Sequence, residues 1–336
     1  MLRPYPLFAF AIATAMVVGT AQSASFDPPQ WAYGVGEKGK PYPDDKQPKR
    51  LAGSSRAYTF TQIEDSFAPA DWYPEDHPTM PRVPVATGRK PDVRACSWCH
   101  LPNGLGHPQS SSLAGLSADY LTRQLADFKT GARHSSVGNS IMATITRAMS
   151  AQEAAAAVNY YSKLRRRPWI KVVESATAPK TEIVEGGLRI QVEPIELEAL
   201  GERIVEVPQY RERTRLYDSH AGFVAYVPAG AIKRGKDYVA NGGGIVVNGK
   251  VATTGKAVAC TECHGKDLRG AAHAPDSTLP VPGLTGRSPT YIVRQLYDFH
   301  SGARSGAGAE LMKPIATQMT LHNMIAVAAY LASLAP

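Results

Sequence analysis

Cys96-Ser97-Trp98-Cys99-His100 and Cys260-Thr261-Glu262-Cys263-His264 decide the fold, and together they contain every cysteine of the 336-residue chain. C-x-x-C-H is the attachment signature of c-type haem. Two cysteine sulfurs bond to one macrocycle while the adjacent histidine ligates its iron, so one helical turn must present all three groups. The two stretches predict two covalently bound haems. The predicted attachment residues are Cys96, Cys99, Cys260 and Cys263, and the predicted iron ligands are His100 and His264.

Zinc sites and redox pairs also use C-x-x-C. A single four-cysteine zinc site would have to join Cys99 to Cys260, more than 160 residues away, whereas such sites space their pairs by about 15 to 20 residues. A disulfide framework is the other alternative for an exported protein. Both alternatives leave the two trailing histidines unexplained, so the sequence favours haem.

Residues 1–23 predict a secretory signal peptide. Arg3 supplies the positive charge, Leu7 to Gly19 is almost wholly apolar, and Ala21-Gln22-Ser23 offers small residues for cleavage. The apolar run of 13 residues is shorter than the about 20 needed to cross a bilayer, although an uncleaved anchor is the alternative. We expect a periplasmic protein, since c-type haem is attached outside the bacterial cytoplasm.

The formal charge of the chain is +8, and loss of the signal peptide would remove only Arg3. A net positive charge favours association with an acidic partner protein or peripheral contact with an anionic membrane surface. No stripe of Lys and Arg interleaved with aromatic residues argues for nucleic acid.

An internal repeat indicates that the chain contains two similar domains. Leu113–Arg133 aligns without a gap onto Leu284–Arg304, with 12 identical pairs among 21. Each copy is an amphipathic helix, which begins at Ser117 or Ser288 and ends at a glycine. A second gapless match pairs Met142–Leu164 with Met312–Leu334, and it predicts a methionine loop followed by a closing helix.

Two methionines in each half compete to be the second axial iron ligand, because electron-transfer haems commonly take His/Met ligation. Met149 and Met319 directly precede the cap of the closing helix, where an apolar packing residue is expected. Met142 and Met312 lie in the predicted loop, which has the freedom to bring sulfur to iron. The pattern favours Met142 and Met312.

Each half resembles a small class I cytochrome c, and the tandem is similar to the dihaem c4-type cytochromes. The matching pieces are Cys96–His100, Leu113–Arg133 and Met142–Leu164, then Cys260–His264, Pro282–Arg304 and Met312–Leu334. The resemblance implies all-helical haem domains, single-electron transfer, and iron ligation by the methionine eight residues before the closing helix cap, which is Met142 or Met312. The family's proline beside the ligand histidine is present as Pro282 but is replaced by Ser111 in the first half.

The fold class predicted is mainly α, with two tandem class I cytochrome c haem domains. The expected divisions are a signal peptide at 1–23, a proline-rich extended arm at 24–88, haem domain 1 at 89–166, a small β-rich insert at 167–227 and haem domain 2 at 228–336. Arg123 and Arg294 are identical across the repeat and are candidates to pair with haem propionates. Each also stands four residues before an aspartate, so an ordinary helix ion pair is the alternative.

The function predicted is transfer of single electrons between a periplasmic dehydrogenase or respiratory complex and a terminal acceptor such as an oxidase. The rival class is a dihaem enzyme, a peroxidase or a thiosulfate dehydrogenase, which needs one substrate-accessible iron. Two equivalent methionines argue against an open iron, so no catalytic residue is assigned.

Overall fold

The computed structural model describes residues 26–35, 46–138, 140–184, 187–243, 245–247, 250–252 and 258–336. The predicted signal peptide at 1–23 lies outside these ranges. We refer to residues 89–166 as the first half and to residues 228–336 as the second half, because each holds one copy of the repeat.

Helices build both halves. Their bounds are α1 Phe60–Ile63, α2 Cys96–His100, α3 Ala118–Thr130, α4 Ile141–Ala148, α5 Ala151–Tyr161, α6 Arg211–Arg215, α7 Ala231–Asn241, α8 Cys260–His264, α9 Pro289–Ser301, α10 Ala309–Ala316 and α11 Leu321–Ser333. Short 3-10 turns occupy Gln30–Ala32 and Pro74–Asp76. Thus α2 and α8 are the two C-x-x-C-H turns, and α3 and α9 are the two copies of the repeat helix.

The predicted helix ends are confirmed. The side chains of Ser117 and Ser288 accept from backbone N–H groups of the first turn, which satisfies a donor that the helix itself cannot. At the other end, Gly131 (φ 85°) and Gly302 (φ 82°) adopt the left-handed conformation that glycine enters without steric cost. The two repeat helices therefore start and stop at the same places for the same local reasons.

The expectation that Met142 and Met312 lie in loops was wrong, because both lie in the helices α4 and α10. Ile145 and Ile315 stand three residues after these methionines. Apolar residues at this spacing share one face of a helix, and Ile145 is buried. Burial of that face stabilises a helix that the sequence analysis assigned to a flexible segment.

The closing helices of the two halves rest on different supports. In the second half α11 packs along α7, the helix that precedes C-x-x-C-H. In the first half α5 packs instead on the irregular turn Arg82–Ala86, where Val85 is fully buried. The prolines of that stretch prevent a regular helix, so an extended turn fills the same role.

Strands fill the region between the halves, and two short antiparallel pairs are described in the second half. Their bounds are β1 Ile170–Glu174, β2 Thr177–Pro179, β3 Thr181–Ile183, β4 Arg189–Gln191, β5 Leu197–Ala199, β6 Val205–Pro208, β7 Phe223–Val227, β8 Ile245–Val247, β9 Lys250–Ala252, β10 Gly270–Ala271 and β11 Val281–Pro282. The three-stranded sheet has the order β1-β7-β6, with β1 parallel and β6 antiparallel to β7. β8 and β9 pair as an antiparallel hairpin, and Asn248-Gly249 between them lies outside the described residues.

The sheet joins the two hydrophobic cores. Phe223 at the start of β7 packs in the core of the first half, with Tyr161 and Leu164. Ala225 and Val227 on the same strand pack in the core of the second half. Because alternate residues of a strand share one face, a single strand presents all three side chains to the two cores.

The segment preceding the first half is more than an extended arm. Leu51, Phe60, Ile63 and Trp72 belong to one small buried cluster, and the Trp72 indole donates to the Leu216 carbonyl at 2.7 Å. Residues 26–35 instead cross to the second half, where they line its core. The segment thus packs against the region between the halves and against the second half. Among the described residues, no helix is both long and apolar enough to cross a membrane.

We predict that Gly235→Ala destabilises the second half, because α7 and α11 touch at this glycine. A Cβ at Gly235 would lie 1.9 Å from the Ala326 carbonyl oxygen, and overpacking of this kind costs about 1–3 kcal/mol. Denaturant unfolding should show the loss. Gly308→Ala is the matched control, since its Cβ would meet no described heavy atom within 4 Å. Equal stability of the two variants would contradict the close helix contact.

Candidate haem sites

The first cavity has a volume of about 330 Å³ and opens beside the turn α2. Cys96, Cys99 and His100 line it from one side. Met142 and Met149 line it as well. Because five residues of the helix turn α2 bring both thiols and the imidazole to one cavity, the local geometry matches what covalent haem attachment requires.

The second cavity has a volume of about 450 Å³ and repeats this arrangement beside α8. Its lining includes Cys260, Cys263 and His264, together with Met312 and Met319. The two cysteine pairs therefore belong to separate cavities, which favours two equivalent sites over one shared four-cysteine site. None of these four cysteines forms a disulfide.

The two histidines are oriented in the same way. The Nδ1–H of His100 donates to the Ser111 carbonyl at 2.8 Å, and the Nδ1–H of His264 donates to the Pro282 carbonyl at 2.8 Å. A hydrogen bond at Nδ1 leaves Nε2 as the nitrogen that can bind a metal. Ser111 thus substitutes fully for the proline of the second half, since only the backbone carbonyl is needed.

Burial sets the protonation of these groups. It lowers the pKa of His100 and of His264, which keeps both imidazoles neutral and able to donate a lone pair to iron. Burial also raises the pKa of the Cys96 thiol to about 12 and that of the Cys260 thiol to about 11. The histidines are thus ready to bind metal, and the thiols of these two cysteines carry their protons before haem is attached.

The two methionines of each pair differ in burial. Met149 and Met319 are 6% and 4% exposed and belong to the packed cores. Met142 and Met312 are only partly buried at the cavity wall. All four thioethers line a cavity, so the geometry keeps both members of each pair within the site.

Each predicted arginine lies at the cavity of the opposite half. Arg294, from α9 of the second half, lines the first cavity, while Arg123, from α3 of the first half, lines the second. The guanidinium of Arg294 donates to the carbonyls of Ala32 at 2.5 Å and Pro108 at 2.7 Å. Asp298 accepts instead from the Tyr33 hydroxyl at 2.8 Å, so hydrogen bonds to carbonyls hold Arg294 rather than the helix ion pair.

Sequence reasoning missed a buried polar cluster between the halves. Arg133 donates to Gln124 at 2.7 Å and to Gln295 at 2.6 Å. Arg304 donates to the same two oxygens, at 2.8 Å and 3.0 Å respectively. Both arginines end the aligned repeat and are identical within it, which was the available signal. The sequence identity does not reveal that each arginine also binds the glutamine of the other half.

The cluster creates a positive environment at the wall between the cavities. Burial alone would raise the pKa of Tyr291, but the charges of Arg133, Arg304 and Arg287 lower it below its usual value. Six residues line both cavities; they are Leu116, Tyr120, Gln124, Arg133, Tyr291 and Gln295. One layer of side chains therefore separates the two cavities.

The residues present fit two haem groups with their anionic propionates. Each cavity combines two cysteine sulfurs, an oriented imidazole and two thioethers with a lining of apolar side chains and several arginines. The Nη2 atom of Arg287, which lines the second cavity, is buried and has no hydrogen-bond partner among the described residues. A buried guanidinium of this kind is costly unless an anion compensates it, and a propionate would supply that anion.

Comparison with known proteins gives relatives named as cytochromes or as electron acceptors. The "thiosulfate dehydrogenase electron acceptor" of Thiomonas intermedia is 26% identical over 72% of this chain and 80% of its own length. Cytochrome c-554(548) of Halomonas halodenitrificans is 36% identical over 22% of this chain and 82% of its own length. Cytochrome c4 of Azotobacter vinelandii is 39% identical over 21% of this chain, and this match spans about a third of that relative, 34%.

A solved structure is also similar. The cytochrome c4 of Acidithiobacillus ferrooxidans matches with a TM-score of 0.43 and 24% identity, over 71% of this chain and 98% of that chain. No family model matches the sequence.

We predict that the purified protein carries two haems per chain that survive denaturation. The reason is that both cysteines of each pair line the cavity that their histidine lines. Mass spectrometry under denaturing conditions should give the cleaved chain plus two haem masses. Cys260→Ser with Cys263→Ser should remove one haem mass and leave the other. A single haem in the unaltered protein would contradict two equivalent sites.

Proposed function

Because this chain belongs to the dihaem class I cytochromes c and carries two covalently bound c-type haems, we propose that it is an exported carrier of single electrons. Its donor would be a dehydrogenase or a respiratory complex, and its acceptor a terminal oxidase or similar protein. The prediction of an electron-transfer cytochrome rather than an enzyme agrees with the names of its relatives, which are cytochromes and electron acceptors.

The shared wall between the cavities is the observation that carries this proposal. Tyr120 and Tyr291 lie in it at equivalent places of the repeat, and both line the two cavities. Two redox groups separated by one layer of side chains can exchange an electron without any movement of the chain. The protein thereby offers an entry haem, an exit haem and a fixed path between them.

His/Met ligation at both irons suits a carrier. We propose His100 with Met142 in the first half and His264 with Met312 in the second. Partial burial leaves Met142 and Met312 free of the tight packing that holds Met149 and Met319. When bound, each haem supplies a reversible one-electron couple, and the thioether favours the ferrous state. The chain orients the imidazoles, excludes water and compensates the propionates.

The arginines that line each cavity indicate which side chains pair with the haem propionates. We propose that Arg294 acts at the first haem and Arg123 at the second, since each lines that cavity. Arg133 and Arg304 add positive charge at the wall between the sites, where both are buried. Each haem would therefore be held by side chains from both halves, which ties haem binding to assembly of the whole molecule.

A dehydrogenase is the partner class that the comparisons favour. The first relative is named as the electron acceptor of thiosulfate dehydrogenase. We propose that this chain also takes electrons from an exported dehydrogenase, and that its positive charge, formally +8 before loss of Arg3, speeds its encounter with an acidic partner surface. The same charge is compatible with peripheral association with an anionic membrane. The proposed periplasmic location rests on residues 1–23.

Methionine variants test the ligation. Met142→His and Met312→His should each abolish one His/Met spectral component and lower that haem's potential, because imidazole replaces the thioether that favours ferrous iron. Optical spectra and redox titration provide the measurement. Met324→Leu is the control, since Met324 is fully buried and lines neither cavity. If both histidine variants keep two thioether-ligated haems, Met149→Leu and Met319→Leu identify the ligands instead.

Ligand binding separates a carrier from an enzyme. With histidine and methionine on each iron, small molecules have no open coordination site. We expect weak binding of carbon monoxide and cyanide, negligible turnover of peroxide or thiosulfate by the isolated protein, and rapid reduction by a small donor. Rates with an acidic partner protein should fall as salt rises, because exposed charges are screened within about 8 to 10 Å. Rapid carbon monoxide binding with turnover of either substrate would overturn the assignment.

A further inference from the structure

Arg287 joins the two halves through backbone carbonyls. It is 5% exposed and stands directly before Ser288, the cap of α9. Its Nε donates to the Gly283 carbonyl at 2.6 Å, and its Nη1 donates to the Ser112 carbonyl at 2.6 Å. The second contact spans 175 residues of sequence. A single guanidinium therefore binds one peptide group from each half.

The two bound carbonyls occupy the same place in the repeat. Ser112 aligns with Gly283, and each follows by one residue the carbonyl that accepts from the ligand histidine. Those acceptors are Ser111 for His100 and Pro282 for His264, both at 2.8 Å. The same guanidinium thus holds both segments that orient the imidazoles.

The repeat shows that this contact is particular to one half. Position 287 aligns with Leu116 of the first half, and Leu116 lines both cavities. No guanidinium is available from that position, so the arginine of the second half serves both histidine segments. Leucine is also the natural replacement for a test, because the repeat already accommodates it at this place.

The third nitrogen of the guanidinium is left for a ligand. Nη2 of Arg287 is buried without a hydrogen-bond partner among the described residues, and the residue lines the second cavity. Burial lowers the pKa of Arg287, and the nearby Tyr291 and Tyr120 hydroxyls partly offset this. A guanidinium remains charged in proteins. The positive charge of Arg287 therefore lies beside the second haem site. Its contact with the Ser112 carbonyl is one residue along the chain from Ser111, which accepts the hydrogen bond of His100.

We propose that Arg287 is a positioning residue that sets the reduction potentials of both haems together. It does so by fixing the two segments that orient the histidines and by placing one buried positive charge between the sites. A positive charge in a medium of low dielectric constant favours the iron state with the smaller positive charge, which is the ferrous state. The proposal rests on ligation by His100 and His264.

Redox titration of Arg287→Leu tests this inference, with optical or magnetic resonance signals that resolve the two haems. We expect the equilibrium constant for reduction by a fixed donor to fall roughly tenfold at each haem, which is about 59 mV for one electron. Arg287→Lys keeps the charge but cannot reproduce the fork that reaches both carbonyls, so we expect a smaller fall at both haems. Arg234→Leu is the charge control, since Arg234 is exposed on α7 and its guanidinium donates to the nearby Ala229 carbonyl.

The inference is overturned if Arg287→Leu shifts only the second haem, or if neither haem shifts more than in Arg234→Leu. If Arg287→Leu fails to take up two haems, Arg287→Lys is judged by the same criterion. The spectrum of the unaltered protein tests the proposed function separately. Both potentials can be measured whatever the sixth iron ligands are, so failure of one proposal does not hide the outcome of the other.

Discussion

Burial of positive charge between two cavities is the constraint on which the rest of this structure depends. Arg133, Arg287, Arg294 and Arg304 are all less than a tenth exposed, and their hydrogen bonds go mainly to neutral oxygens of carbonyl and amide groups. Such groups satisfy donors but leave charge uncompensated. Anionic haem propionates would resolve this imbalance, and we propose that haem binding and assembly of the two halves are therefore linked.

The surrounding helices and strands position the layer of side chains that separates the two cavities. The repeat helices α3 and α9 carry the tyrosines and glutamines that line both cavities, and the sheet strand β7 ties the core of one half to the core of the other. Residues 26–35 add a third contact, where Tyr33 binds Asp298 of α9 and lines the first cavity. Segments outside the repeat therefore hold the geometry that fixes the distance between the two haems.

The two halves carry the same haem-binding residue types, but different structural elements hold them in place. His100 and His264 use the same hydrogen bond to different residues, Ser111 and Pro282. α11 rests on a helix, whereas α5 rests on an irregular turn. Arg287 occurs in one half only. Such asymmetry gives the two otherwise equal sites different surroundings.

The sequence by itself determined whatever depends on neighbours along the chain. Two C-x-x-C-H turns specify covalent haem attachment, and Ser117, Gly131 and their counterparts end the repeat helices through local backbone contacts. The internal repeat also paired Met142 with Met312 as equivalent positions. These features follow from spacing within a few helical turns, where the backbone geometry is nearly fixed by the residue types.

Only the tertiary structure decided which residues meet across the molecule. Arg123 and Arg294 lie at the cavities of the opposite halves, and Arg287 reaches Ser112 across 175 residues. Met142 and Met312 lie in helices because apolar faces are buried there, not because their local sequence forbids a loop. The physical reason is that packing between distant segments depends on the shape of both partners, and no periodicity within either segment records it.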